Sequence, residues 1–493
     1  MANQLTPDSR RRHSILKRPR NWIFLIFLIF LIYLGTALWH LNKPLPPGLS
    51  ADFEPEPAEA VELLVDATWL TPDGGQRQRT EIFERMLTLI AQAETLIALE
   101  MFLLNDFAGA AGKNHRPLSS LIVDAMIERK RAQPDIRISL ITDPFNRLYG
   151  GIESDLLDRA EAAGVNVIDT RLTALPDSNP IWSGFWRLCC AYLGNSSAGW
   201  LPNPVGGEDV SLRTYLRLLN FKANHRKALV VDEGDGWTGL VTTANAHDAS
   251  SRHSNLGLVF SGAAAIDLLR TMEATAQFSG SDLAEADKLA RLDAAVDKGV
   301  RIAVLSEVAI RDELLRILDR AQAGDRLDIA VFYLSHRGVI GAIEEAHSRG
   351  VRLRLLLDPN EDAFGRKKDG VPNRQVAMEL AEAGVPIRWC NTRGEQCHYK
   401  HLLHVPQDGP SSMLIGSANY TRRNLDGFNL ETQALLIADS DHPEIAAARA
   451  FFDERWHNER GRIHSLPYSA YADDSRLRYW RYRFMEASGV STF

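Results

Sequence analysis

The hydrophobic pattern separates one long apolar run near the N-terminus from many shorter runs that follow it. Residues 22–39 contain no charged side chain, a run long enough to be a transmembrane helix. From residue 61 onward, apolar stretches of strand length alternate with stretches that have helical periodicity. This alternation predicts an α/β fold in which mixed or parallel sheets are covered by helices.

The alternation occurs twice in the same order. Residues 91–104 and 321–334 align without gaps, and Asp-Pro and Gly-Val turns follow each of them at similar distances. Each copy ends in a His-x-Lys motif beside an apolar strand. We therefore predict two duplicated α/β domains, at 61–280 and 300–465, each a mixed sheet covered by helices.

The remaining segments are predicted from composition. In chain order they are a basic cytoplasmic tail at 1–21, a transmembrane signal anchor at 22–41, a linker rich in proline and acidic residues at 42–60, a connector at 281–299 and a C-terminal tail at 466–493. A cleaved signal peptide is the alternative for the apolar run, but its hydrophobic region is usually only about 7–15 residues long.

The distribution of charged residues indicates how the chain is oriented in the membrane and which class of partner it binds. The first 20 residues carry six Lys or Arg and one Asp, so the positive-inside rule places the N-terminus in the cytoplasm and the body outside. In a Gram-negative bacterium this is a single-pass inner-membrane protein with a periplasmic body. The whole chain has a net charge of −7 and the body alone is more acidic still, so we expect no nucleic-acid partner.

The first domain contains an aromatic insert at about 171–218 that the second domain lacks. Its Trp, Tyr and Phe residues are typical either of the core of a small subdomain or of an element that contacts the membrane interface or lines an acyl-chain channel. Both interpretations stay open.

The first motif, H-x-K-x4-D, consists of His225, Lys227 and Asp232. Residues two apart on a strand face the same side, so His225 and Lys227 project into one pocket. Lysine can neutralise phosphoryl oxygens while histidine acts as nucleophile or acid. The second motif supplies His398 and Lys400.

After each motif comes a hydroxyl-Ala-Asn turn. The turn residues are Thr243 and Asn245 in the first copy and Ser417 and Asn419 in the second. With these two motifs the chain resembles the phospholipase D superfamily, and the N-H-R-K sequence of the first copy looks most like that of bacterial cardiolipin synthases.

The resemblance implies one active site at a pseudo-twofold interface and a covalent phosphohistidine. It makes His225 and His398 the catalytic pair, with His225 the nucleophile by family habit, and Lys227 and Lys400 the phosphate clamps. Further phosphate ligands are Asn245, Asn419, Thr243 and Ser417. Asp232 has a structural role, and neither a metal nor a cofactor is implied.

Each catalytic histidine needs a partner that fixes its tautomer. We predict Asp248 as the partner of His225 and Glu431 as the partner of His398, the alternative being that both are ordinary exposed carboxylates. The second motif has Val405 where the pattern has Asp, and Asp408 is the predicted replacement.

Three further features concern other chemistry. His398, His401 and His404 have a spacing that suggests a metal site, but residues three apart on a strand face opposite sides. Cys390 and Cys397 flank a short turn, and an exported chain favours a disulfide there. The neighbouring Cys189 and Cys190 are predicted to be buried thiols.

The sequence thus predicts a membrane-anchored enzyme that transfers or hydrolyses the phosphatidyl group of membrane phospholipids. An alcohol acceptor corresponds to a cardiolipin synthase and water corresponds to a phospholipase D. The single anchor differs from the paired spans common in cardiolipin synthases. The alternatives are a nuclease or other phosphodiesterase of the same superfamily, and a non-catalytic membrane lipid-binding protein.

Overall fold

The chain is described by a computed structural model that covers residues 19–107, 115–193, 199–233, 236–283, 299–363, 366–491 and 493. Most of the basic tail predicted at 1–21 lies outside the described residues. So does most of the connector predicted at 281–299.

The N-terminal apolar run forms one helix, α1 (Pro19–Asn42). At 1.5 Å per residue its 24 residues extend about 36 Å, more than the hydrocarbon thickness of a bilayer. Within the described part of the chain it is the one helix long and apolar enough to cross a membrane. Most of its side chains, such as Phe24 and Ile26, are exposed on the protein.

The first half of the chain forms the first lobe (residues 61–280). Strand β1 (Glu56–Pro57) precedes this lobe. The strands of the lobe are β2 (Val61–Leu70), β3 (Gln76–Arg79), β4 (Leu96–Met101), β5 (Leu104–Asn105), β6 (Arg137–Thr142), β7 (Asn166–Asp169), β8 (Lys227–Glu233), β9 (Gly236–Thr242), β10 (Ala246–His247) and β11 (Asn255–Ser261). The helices are α2 (Ile82–Gln92), α3 (Leu118–Ala132), α4 (Asp155–Ala162), α5 (Pro180–Cys189), α6 (Leu212–Leu218) and α7 (Ala263–Ser279).

The second half forms the second lobe (residues 299–493). Its strands are β12 (Val300–Ser306), β13 (Arg326–Val331), β14 (Arg352–Leu357), β15 (Asp362–Ala363), β16 (Arg366–Lys367), β17 (Ile387–Cys390), β18 (Lys400–Val405), β19 (Ser411–Gly416), β20 (Thr432–Ala438) and β21 (Ser465–Pro467). Its helices are α8 (Val308–Arg320), α9 (Arg337–Ser348), α10 (Asn373–Glu382), α11 (Arg422–Leu425), α12 (Pro443–His457) and α13 (Arg476–Ser488).

The two main sheets have corresponding strand orders. In the first lobe the order is β3-β2-β11-β9-β8-β4-β6-β7, and in the second it is β1-β12-β20-β19-β18-β13-β14-β17-β21. In each lobe three neighbouring strands run parallel and the strand of the H-x-K motif joins them antiparallel. The predicted fold class, an α/β protein with mixed sheets covered by helices, is confirmed.

The main core lies between the two sheets. Val230 and Leu256 of the first lobe belong to the same buried cluster as Ile415 and Leu436 of the second. Helices cover the opposite face of each sheet and bury separate clusters there. Strands buried on both faces have continuous apolar runs, which explains the apolar runs that follow both motifs.

The segment at 42–60, predicted as an extended spacer, is instead bound to the second lobe. Strand β1 pairs antiparallel with β12. Ser50 N–H donates to the Glu307 carboxylate at 2.9 Å, and Ala58 N–H donates to the Val300 carbonyl at 3.0 Å. The prediction from composition was wrong because an open sheet edge offers backbone partners that proline-rich and acidic sequence can still use.

The aromatic insert carries α5, which lies against the C-terminal third of α1. The Tyr33 hydroxyl donates to the Ile181 carbonyl at 3.0 Å. A Cβ on Gly184 would lie 2.9 Å from the Cβ of Ala37, so glycine permits the close approach of the two helices. Ile181 and Phe185 stay about half exposed.

The cysteines form two disulfides. Cys390 and Cys397 are bonded, as predicted. Cys189 and Cys190 are also bonded to each other at the exposed end of α5, so the prediction of buried thiols was wrong.

Candidate active site

The histidines of the two H-x-K motifs are held by backbone hydrogen bonds to the opposite lobe. His225 N–H donates to the Leu430 carbonyl at 2.9 Å, and His398 N–H donates to the Ser254 carbonyl at 2.8 Å. Each histidine precedes the lysine that begins a buried strand, β8 or β18. This exchange of bonds across the interface brings both motifs into one site.

The electrostatics of the histidines agree with this proximity. Burial lowers the pKa of His398 well below its usual value, and the charges of Lys400, Lys227 and His225 lower it further. Burial also lowers the pKa of His225 to about 4, although Glu431 opposes this shift. Both imidazoles are therefore neutral at pH 7.

The two lysines have equivalent surroundings. Lys227 Nζ lies 5.0 Å from the ring centroid of Phe102, and Lys400 Nζ lies 5.2 Å from that of Phe332. Burial lowers the pKa of Lys227 to about 7 and that of Lys400 well below its usual value, the latter helped by the charge of Lys227. An anion bound between them would be stabilised strongly, since it would supply the missing counter-charge.

Phe102 and Phe332 are site residues that sequence reasoning missed. Their rings also contact His225 and His398, with centroid separations of 4.9 Å and 5.1 Å. The signal was available, because the two phenylalanines occupy matching positions in the aligned repeats.

The partners of the histidines differ from the prediction. His225 Nδ1 lies 3.0 Å from Glu431 Oε2, and His398 Nδ1 lies 3.1 Å from Asn255 Oδ1. The predicted pairings of Asp248 with His225 and of Glu431 with His398 were wrong. Asp248 instead accepts hydrogen bonds from the backbone and hydroxyl of Ser119. The physical reason is the exchange across the interface, which gives each histidine a partner from the other lobe.

The hydroxyl residues of the two turns lie behind the histidines. Thr243 Oγ1 donates to Asn255 Oδ1 at 3.0 Å, and Ser417 Oγ donates to Glu431. The structure thus places them on the orienting groups. Asn245 and Asn419 differ, because the buried side-chain oxygen of each has no hydrogen-bond partner among the described residues.

Asp232 fixes the strand of the first motif. Its carboxylate accepts from Thr95 N–H at 2.9 Å and from Leu96 N–H at 2.8 Å. In the second lobe Asp325, which aligns with Thr95, accepts from His404 Nε2 and from Gln407 N–H, both at 3.0 Å. The predicted replacement by Asp408 was therefore wrong, since the carboxylate belongs to Asp325, directly before the neighbouring strand β13.

A fully buried ion pair supports the site from behind. Arg226, between His225 and Lys227, donates to both oxygens of Glu307 at 2.7 and 2.9 Å. Glu307 also accepts from the backbone N–H of Glu431 at 3.0 Å. No local sequence pattern indicates this ion pair, because Arg226 and Glu307 come from different lobes.

The histidines at 398, 401 and 404 do not converge. His404 binds Asp325, and His401 packs on Phe451. Among the described residues no group of three or more His, Cys, Asp or Glu is placed to hold a metal ion.

Comparisons with known proteins agree with this geometry. Residues 314–456 match the family described as "Cardiolipin synthase, PLD-like domain". A mitochondrial cardiolipin hydrolase of Chlamydomonas reinhardtii is 31% identical over 144 residues, which are 29% of this chain and 57% of that relative. The chain thus matches little more than half of that relative's length.

Among solved structures, the phosphatidylserine synthase of Haemophilus influenzae Rd KW20 has a similar fold. Its TM-score is 0.54 at 12% identity, with 92% of this chain and 98% of that chain covered. The fold and site define a class of two-lobed α/β proteins that build one site from two H-x-K motifs. Within this class, residues 314–456 of the second lobe are similar to the cardiolipin synthase, PLD-like domain, and the chain as a whole shares its fold with the phosphatidylserine synthase.

Proposed function

We propose that this chain transfers or hydrolyses the phosphatidyl group of a glycerophospholipid through a phosphohistidine on His225. One observation carries the proposal. Two neutral imidazoles are anchored through Nδ1, and Nε2 of each makes no hydrogen bond to the described residues. Two buried lysines, Lys227 and Lys400, accompany them. This is an arrangement suited to nucleophilic attack on an anionic phosphorus centre.

The difference between the partners supports the choice of nucleophile. Attack by Nε2 leaves a positive charge on the ring, and the Glu431 carboxylate beside His225 stabilises that charge. Asn255 gives His398 no such counter-charge. A protonated His398 is thus the stronger acid and releases its proton more readily to a leaving alkoxide.

The reaction has two balanced steps. Nε2 of His225 attacks phosphorus and the bond from phosphorus to the first alcohol breaks. His398, which takes up a proton from water at Nε2 when the anionic substrate binds beside it, gives that proton to the leaving oxygen. His398 then takes a proton from the incoming hydroxyl, whose oxygen attacks phosphorus, and the P–N bond to His225 breaks. Lys227, Lys400, Asn245 and Asn419 hold the phosphoryl oxygens throughout.

Membrane contact supports a lipid substrate. Helix α1 has the length and composition of a transmembrane span, and α5 lies beside it with exposed apolar side chains. We place the chain in a bacterial inner membrane with its body in the periplasm. With phosphatidylglycerol as acceptor the product is cardiolipin, and with water it is phosphatidic acid. The acidic composition disfavours the nuclease alternative.

The test uses the full chain in phosphatidylglycerol vesicles, with lipid products followed by mass spectrometry. Wild type is expected to form cardiolipin or phosphatidic acid, while His225→Ala and His398→Ala lose at least about 100-fold in rate. His457→Ala, an exposed histidine on α12, is the matched control and keeps full activity.

The intermediate is tested with phosphatidyl-p-nitrophenol, whose leaving group needs no proton. His398→Ala is expected to release nitrophenol once and to retain an acid-labile phosphatidyl adduct on the peptide that contains His225. An adduct on any other residue would contradict the assignment of the nucleophile. If no lipid is turned over while labelled DNA is cleaved, the lipid proposal is wrong.

A further inference from the structure

Helix α13 presents an unusual apolar stripe to solvent. Leu477, Trp480 and Phe484 are 82%, 67% and 65% exposed. Their spacing of three and four residues places them on one side of the helix, while Tyr482 and Glu486 on the other side are buried. A contiguous exposed stripe of large apolar side chains marks an interaction surface.

Arginines border the stripe on both sides. At 100° per residue, Arg476 and Arg483 lie on one side of it and Arg478 and Arg481 on the other. Arg478 and Arg481 contact Asp473 and Asp369, and Arg476 lies 3.5 Å from Glu382. These pairs are largely exposed, and such pairs are weak, so the guanidinium groups can exchange them for lipid phosphates at little cost.

Arg483 has no carboxylate partner among the described residues. It donates to the Tyr479 hydroxyl at 2.8 Å. It also lines a cavity of about 490 Å³ between α13 and the rest of the second lobe. Trp480 and Phe484 line this cavity, and so do Arg337 and Arg422.

The acidic residues of this cavity are already engaged. Asp426 accepts from Arg311 at 2.8 Å, and Glu486 accepts from the backbone N–H of Arg422 at 3.0 Å. Arg337 is paired with Glu379. The Arg422 guanidinium lies 4.0 Å from Asp426 and donates to the Ala487 carbonyl at 3.3 Å. Arg483 is therefore the cationic group of this lining that is left for an incoming anion.

The end of α13 joins the side of the molecule that carries the anchor. The backbone of Gly489, which ends the helix, lies so close to Ser178 that a Cβ would be 1.8 Å from its carbonyl oxygen. Ser178 lies two residues before the start of α5, and α5 lies on α1. The exposed apolar residues of α1, α5 and α13 thus follow one another along one connected set of helices.

We propose that α13 is an interfacial helix that docks on the bilayer, with the headgroup of an anionic glycerophospholipid held at Arg483 in the cavity behind the apolar stripe. Trp, Phe and Leu on one face with flanking arginines are the composition of helices that lie in a membrane interface. The connection to α5 and α1 favours a bilayer over a second copy of the chain. This contact is separate from the catalytic site.

The test uses the full chain carrying benzoylphenylalanine in place of Phe484, reconstituted in vesicles of phosphatidylglycerol and phosphatidylethanolamine and illuminated. Mass spectrometry is expected to find a phospholipid adduct on the α13 peptide. The adduct yield falls about fivefold in vesicles of phosphatidylcholine alone, or when Arg483→Gln is added, because one arginine near an anionic surface contributes about that factor. Benzoylphenylalanine in place of Arg320, exposed at the far end of α8, is the matched control and yields no adduct.

Three outcomes would overturn the proposal. The absence of a lipid adduct at position 484 would rule out docking. A covalent dimer through position 484 would assign the stripe to a second copy of the chain. Equal yields with phosphatidylcholine and with Arg483→Gln would remove the anionic headgroup from the proposal. None of these measurements needs turnover, so they remain interpretable if the proposed reaction fails.

Discussion

Glu431 and Asn255 occupy equivalent positions in the two lobes, but one is a carboxylate and the other an amide. Each contacts Nδ1 of the motif histidine of the opposite lobe, and each accepts from the hydroxyl of its own turn, Ser417 or Thr243. The pseudo-twofold site is therefore chemically asymmetric where the two histidines are oriented.

Removal of the carboxylate tests this asymmetry. Glu431→Gln keeps the shape of the side chain but removes its charge, so the cationic phosphohistidine loses its stabilising partner. We expect kcat to fall about 10–100-fold, the range typical of lost orienting partners. The matched control is Asn255→Gln, which keeps an amide beside His398. A smaller loss for Glu431→Gln than for this control would contradict the role of Glu431.

The converse change adds a charge. Asn255→Asp places a carboxylate beside His398 and raises the pKa of its imidazole, because an opposite charge stabilises the protonated form. If His398 is the general acid, the alkaline limb of the kcat profile moves to higher pH. The measurement is a pH profile of kcat with phospholipid vesicles. An unchanged alkaline limb would show that another group donates the proton.

The acid limb of the kcat/KM profile reports on His225. The ring attacks only when neutral, and burial lowers its pKa to about 4. Activity should therefore persist as the pH falls through 6 and decline only near pH 4. In Glu431→Gln the limb should move lower still, since the carboxylate raises this pKa. An acid limb near pH 6.5, the usual value for imidazole, would contradict the assignment.

The buried ion pair predicts a stability effect. Arg226→Met leaves Glu307 and Glu100 without their cation in a region where all three side chains are fully buried. Such uncompensated charge costs about 3–5 kcal/mol in the free energy of unfolding. Arg159→Met, which removes an exposed pair with Asp124, should change it by less than about 0.5 kcal/mol. Denaturant unfolding of the detergent-solubilised protein distinguishes the two.

The Cys390–Cys397 disulfide restrains the segment that leads into His398. Closing a loop of this length stabilises the folded chain by about 2.5 kcal/mol in the chain-entropy estimate. Replacing both cysteines by serine should lower the free energy of unfolding by that amount. The double replacement at Cys189 and Cys190 closes no comparable loop and serves as the control. Equal changes in both variants would contradict a restraint specific to the site.

Local patterns were enough to predict the two H-x-K pairs, the structural role of Asp232 and the α/β class. These features depend on residues close together in sequence or on the repeat itself. The similar segments N-L-G (255–257) and N-L-E (429–431) suggest that Gly257 corresponds to Glu431. In the structure the residue equivalent to Glu431 is Asn255. Periodicity carries no information on contacts between residues 206 positions apart, such as His225 and Glu431.

The binding of residues 50–58 to the second lobe limits the distance between helix α1 and the two α/β lobes. Ser50 and Ala58 are fixed to the core of the second lobe, and His40 at the end of α1 accepts a hydrogen bond from Asp177 N–H. Residues 50–58 are therefore not a flexible linker, and the fold determines the distance of the two lobes from the membrane that contains α1. If the proposed function holds, the site acts on lipids of the membrane that contains α1 and not on lipids of an apposed membrane.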